Sequence, residues 1–188
     1  MKQYLALGAL ALGLAAALPA SAASFSFGFD NVLSQDAVDE AGNTQLSFNL
    51  GAGSFITGLR YEFDVEAYTG SWLSEMSLRI TGKSGEGFDF VPASDRNTEG
   101  RYSASGSLDL LNQGLGFRLG SDGKLKLQFY DDVNDLAGAD GIWHSGKLTF
   151  DYVAAPVPEP ATWATLAAGL GALGLTAARR RRRADTPG

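Results

Sequence analysis

The stretch Leu59-Arg60-Tyr61-Glu62-Phe63-Asp64-Val65-Glu66-Ala67 decides the fold, because every odd position is apolar or aromatic and every even one is charged. Successive side chains of a β-strand point to opposite faces, so this pattern describes a strand with one buried and one wetted side. The same period of two recurs on both sides of it. Phe25, Phe27 and Phe29 alternate with small or polar residues, as do Leu46, Phe48 and Leu50. Trp72, Ser74, Met76, Leu78 and Ile80 form a further run, followed by Phe88 and Phe90, Tyr102 to Leu110, Leu115 to Leu119, Leu125 to Phe129, and Leu148, Phe150 and Tyr152. Clusters such as Asp39-Glu40-Ala41-Gly42-Asn43, Gly82-Lys83-Ser84-Gly85 and Gly120-Ser121-Asp122-Gly123 supply turns between them. No helical period appears before residue 161. Eight to ten short strands with one polar face each predict an all-β fold, a single antiparallel β-sandwich or jelly roll over residues 24–155.

The two ends are of another kind. Met1-Lys2 is followed by a mostly apolar run from Tyr4 to Leu18 and by Pro19-Ala20-Ser21-Ala22-Ala23. A cation, an apolar core and a small-residue site in that order read as a signal peptide over residues 1–23, cut after Ala22 or Ala23 by signal peptidase once the translocon is engaged. At the other end, Ala161 to Ala178 carries no charge and Arg179, Arg180, Arg181, Arg182 and Arg183 follow it. As a helix, 161–178 would span about 27 Å, enough to cross the inner membrane with the arginines left in the cytoplasm. The middle of the chain is therefore expected to be exported.

That middle, from Ser24 to Pro156, carries nine Lys and Arg against nineteen Asp and Glu, a net charge of −10. Such a surface is repelled by phosphate backbones, so nucleic acid is excluded as a partner. The absence of cysteine removes thiol chemistry and disulfides, leaving the core, or a bound ion such as calcium, to hold an exported domain together. His144 is the single histidine.

Between the domain and the apolar run stands Val157-Pro158-Glu159-Pro160-Ala161-Thr162. Two prolines fix φ on either side of Glu159 and hold the tripeptide extended, presenting one carboxylate at the membrane surface. With the apolar run and the arginine cluster, these residues resemble the PEP-CTERM sorting signal, which would occupy 156–188, with its motif at 157–162. The resemblance implies recognition by an exosortase, processing near Pro158, Glu159 and Pro160, and final residence at the cell surface or in an extracellular polysaccharide matrix. More weakly, Leu127-x-Phe129-Tyr130-Asp131-Asp132, Asp140-Gly141-x-Trp143 and Gly146-x-Leu148-x-Phe150 resemble the jelly-roll P domain that follows the protease in proprotein convertases. That likeness implies a jelly roll and a non-catalytic role.

Three constellations are candidates for chemistry. Asp131, Asp132, Asp135 and Asp140 crowd hard oxygen ligands into one segment, as calcium prefers, although the EF-hand pattern fails at Leu136 and no closing glutamate follows. The competing reading is a solvated loop of Asx turns. Tyr68, Trp72, Tyr102, Tyr130 and Trp143 could offer rings to a sugar, against the alternative that strand aromatics fill the core. His144-Ser145 would place its side chains on opposite faces of a strand, and no G-x-S-x-G elbow is present, which argues against a serine hydrolase. The expectation is an exported matrix or surface protein and not an enzyme. The alternatives are a carbohydrate-binding module or weak glycosidase, and a periplasmic protein left unprocessed on its membrane anchor.

Overall fold

Alternation sets the strands of this protein, and three irregular positions decide which residues its longest strands bury. The computed structural model describes residues 22–83, 85–156 and 165–173. One compact unit covers Ala20–Ala155. Its strands are β1 (Ala22–Ser34), β2 (Gln45–Asn49), β3 (Phe55–Ala67), β4 (Met76–Thr81), β5 (Gly87–Phe90), β6 (Gly100–Asp109), β7 (Phe117–Arg118), β8 (Lys124–Asp131) and β9 (Gly141–Val153). One sheet has the order β1-β9-β3-β6, with β7 added beside β3, and the other the order β2-β8-β4-β5. All pairings are antiparallel. With the two-residue β7 set aside, the chain passes between the sheets so that its first and last strands pair and two Greek keys interleave. This is the jelly-roll order.

The core lies between the sheets. Trp143 of β9 meets Phe29 of β1 and Phe63 of β3 with ring centroids 6.0 and 6.2 Å apart, and reaches across to Phe129 of β8 at 5.3 Å. Edge-to-face geometry of this kind adds to plain area burial. Ile56, Leu59, Val65, Leu148 and Phe150 from one sheet and Leu78, Ile80, Leu125 and Leu127 from the other complete the layer. The Trp143 Nε1–H finds no acceptor there.

Parity explains who reaches this layer. In β1, Phe25, Phe27 and Phe29 face the core at odd positions, yet Ser34, at an even one, is fully buried. Register runs Asp30↔Ser145 and then Val32↔Trp143, leaving Asn31 and His144 outside the pairing. Asn31 has φ of 53°, a left-handed conformation that asparagine tolerates. The jog reverses the alternation of both strands. It turns Trp143 inward although Leu148 and Phe150, of opposite parity, are inside as well, and it sends Ser34 into the end of the core. A second register shift between Ile56 and Gly58 does the same for Ile56 in β3.

Several expectations change. β1, β3 and β9 are 13 residues each, longer than the short strands expected. The run from Trp72 does not begin a strand: the Glu75 carboxylate accepts the Trp72 N–H at 2.9 Å, the Glu75 N–H donates to the Trp72 carbonyl, and β4 starts at Met76. Leu115 to Leu119 contributes only β7. Of the span expected at 161–178, residues 165–173 are described. They are helical and exposed, and no described helix is long and apolar enough to cross a membrane. The transmembrane expectation is thus not confirmed. Most of the signal peptide, the motif Val157, Pro158, Glu159 and Pro160, and Arg179 to Arg183 lie outside the described residues.

Candidate functional site

Inverted parity in β1 and β9 builds an acidic pole at the end of the sandwich where β1, β3 and β8 finish and β4 and β9 begin. Asp131 is the last residue of β8. The strand's odd positions Leu125, Leu127 and Phe129 are core, so Asp131 also points inward, and it is fully buried. Its Oδ2 accepts the Ser34 hydroxyl at 2.8 Å. Asp140, just before β9, is equally buried. Its N–H donates to the Ser34 carbonyl at 2.8 Å, so one serine touches both acids. Oδ1 of Asp140 accepts the N–H groups of Leu136 at 2.8 Å and Asp135 at 3.1 Å, closing the loop between β8 and β9, whereas Oδ2 is buried with no partner.

The electrostatics follow from that burial. Loss of water pushes the Asp131 carboxyl up to about 7, and the charges of Asp140 and Glu75 add to the rise against the Ser34 hydrogen bond. Asp140 is also raised, first by burial and then by the charges of Asp135 and Asp36, while the Leu136 and Asp135 N–H groups oppose the shift. Burial likewise raises Glu75, with Asp135 contributing. No lysine, arginine or histidine forms an ion pair with Asp131 or Asp140 among the described residues.

The four aspartates expected together are thus divided. Asp131, Asp135 and Asp140 share the pole, but Asp132, one residue past an inward position, turns outward to the Ser77 hydroxyl at 3.4 Å. Among the described residues no group of three or more acidic or histidine side chains could hold a metal ion. Glu75, Ser34 and Asp36 were missed in the sequence. The turn cluster Thr69-Gly70-Ser71 could have signalled that Glu75 belongs to a loop.

The aromatic set divides as well. Trp143 and Tyr130 are buried, so neither presents a ring to a ligand. Burial and the charges of Asp89 and Asp132 push the Tyr130 hydroxyl up to about 12. Tyr102 packs partly against the core. Tyr68 is half-buried and Trp72 is 49% exposed, both in the segment joining β3 to β4 at the acidic pole.

The outer face of the β1-β9-β3-β6 sheet carries an open trough lined by Glu62, Asp64, Ser103, Ser105, Ser145 and Lys147. Arg101 pairs with Asp64 and holds its carboxyl below the usual range, and Arg60 pairs with Asp151 at 3.0 Å. The bulge at His144 overturns the opposite-face argument for His144-Ser145. His144 meets Glu66 at 2.7 Å on this outer side, and the exposed Ser145 lines the trough on the same side. The imidazole is engaged by Glu66, and no hydrogen bond joins it to Ser145.

Fold and topology define the class, a jelly-roll β-sandwich of antiparallel sheets. The region after it is more specific: residues 156–183 match the PEP-CTERM protein-sorting motif, the mark of an exported protein that an exosortase sorts at the membrane. No curated protein matches the chain. Among solved structures, the coat protein dimer of Tobacco streak virus is 14% identical over 76% of this chain and 92% of its own, with a TM-score of 0.30. Turnip yellow mosaic virus gives 7% over 77% and 87%, with a TM-score of 0.28.

Proposed function

We propose that this protein is a non-catalytic component of the cell surface or of an exopolysaccharide matrix, carried there by its sorting tail and cut by an exosortase at Pro158-Glu159-Pro160. The match of residues 156–183 to the sorting motif carries the reading. The jelly roll supports display over turnover. A general acid needs a reachable carboxyl raised into the working range, whereas Asp64, in the open trough, is held ionised by Arg101 and Asp131, which is raised, is fully buried. Tail processing is tested by the intact mass of the C-terminus in membrane and culture fractions of a host that makes an exosortase, beside Glu159→Ala. Loss of everything after about Pro160 in the wild type, with the arginine tail retained in the variant, supports sorting. Retention of Arg179 to Arg183 in both makes the protein an unprocessed periplasmic one.

A second reading, carbohydrate binding, is favoured by one observation, the exposure of Trp72 in the segment between β3 and β4. A single exposed indole can stack on a sugar ring. Retention on immobilised exopolysaccharide that Trp72→Ala abolishes would support it, and retention equal in both proteins would refute it.

A further inference from the structure

Asp140 poses a problem that the rest of the fold does not answer. Its side chain is wholly inside the protein, one oxygen is spent on the loop, and the other faces no donor. Interior carboxylates are ordinarily paired, hydrogen-bonded on every lone pair, or bound to a cation, because an uncompensated one costs several kcal/mol. A second interior carboxylate, Asp131, stands across Ser34 from it. The charges that bear on the two are those of further acids: Asp36 of the β1–β2 loop, Glu75 of the turn before β4, and Asp135 of the β8–β9 loop. Among the described residues no lysine, arginine or histidine pairs with either acid.

We propose that Asp140, through its unpartnered Oδ2, and Asp131 form the anionic core of a single calcium site at this end of the sandwich, completed by neutral oxygens. The chemistry selects the ion. All candidate ligands are hard oxygens, no imidazole or thiol is near, and calcium accepts a mixture of carboxylate, backbone carbonyl and water oxygens without a rigid geometry. Two buried carboxylates leave most of the coordination sphere to such neutral oxygens. That places the affinity with extracellular modules, in the range of about 10⁻⁴ to 10⁻³ M. The Asp140 loop joins β8 of one sheet to β9 of the other, so the ion would tie the two sheets together where no disulfide can.

The test uses the full chain in a mild non-ionic detergent, stripped with EDTA at pH 8, and titrated with calcium chloride. We expect one calcium per chain by calorimetry and a rise in Tm of about 4 °C at 10 mM. Asp140→Asn should abolish both. Its Oδ1 can still accept from Asp135 and Leu136, so the loop keeps its closure while the charge is removed. Asp131→Asn, the shape of the protonated acid, should weaken binding at least tenfold, and Asp122→Asn, in the turn before β8, should bind like the wild type. Absence of calcium heat and of any Tm shift up to 10 mM would overturn the proposal, as would a shift that survives in Asp140→Asn. A Tm that rises from pH 8 to pH 6 without responding to calcium would make a proton the counter-charge and would also overturn it.

Discussion

Raising the pH from 5 to 8 in EDTA should destabilise the protein, and Asp131 should account for most of the change. The folded carboxyl is raised to about 7 from the ordinary 3.8, chiefly by burial. Between those values the native state holds a proton that the unfolded chain has released, so stability is fully present below about pH 4 and is lost as pH climbs through 7. A shift of about three units, at about 1.4 kcal/mol each, sets an upper limit of about 4 kcal/mol, which water penetration at the end of the sandwich lowers. Even half of that is a large share of a typical domain's stability. Asp140 and Glu75 are raised as well and act in the same direction. Asp64 is lowered, so its contribution is lost only as pH falls through the acid range, and it leaves this window flat. The assay is urea denaturation followed by tryptophan fluorescence, since Trp143 is packed among core rings and changes environment on unfolding. Asp131→Asn should keep only the smaller slope that Asp140 and Glu75 contribute. A flat wild-type profile, or an equal slope in the variant, would refute the argument from burial.

Other consequences rest on packing. Phe129→Ala removes the ring that meets Trp143 across the two sheets and should cost about 3–5 kcal/mol in the same denaturation experiment. Gly146→Ala would drive a methyl into the Phe29 ring and should cost about 1–3 kcal/mol, whereas at Gly28 the nearest atom lies 3.6 Å from the added carbon and Gly28→Ala should stay within about 0.5 kcal/mol. Gly123 has φ of +67° and an added carbon would meet the Ala52 nitrogen at 2.7 Å, so Gly123→Val should lower Tm clearly while leaving calcium affinity, measured calorimetrically, unchanged.

Strand identity was legible where alternation was undisturbed. Leu59 to Ala67 and Leu125 to Phe129 lie where their polarity puts them, because a half-buried strand writes its own period into the sequence. The site was legible only in part. Asp131 and Asp140 look like loop acids when read by polarity alone, and what makes them special is the parity jog at Asn31 and His144, which brings Ser34 inside. A bulge is a property of two paired strands, so neither sequence segment announces it alone. Trp72 failed for the opposite reason: Trp72, Ser74 and Met76 alternate, but Glu75 closes a local turn whose hydrogen bonds compete with the ladder.

Strand order gives the two ends of the sandwich different tasks. β9, the last strand in sequence, lies between β1 and β3, so the larger sheet lacks its middle member until the chain has passed to Val153. Ala22 pairs with Val153 at one end of that sheet, and Ser34 pairs with Gly141 at the other. The expected signal-peptide cut, after Ala22 or Ala23, therefore falls at the end where β9 also runs out toward residue 156. Thirteen residues of β1 separate that end from the acidic pole, about 40 Å along the strand. Changes confined to Asp131, Asp140 and Glu75 act on the join between the sheets at the far end, and changes confined to the sorting motif act beyond the last strand. The calcium ligands and the sorting motif share no residue, so the calcium and processing experiments can fail independently.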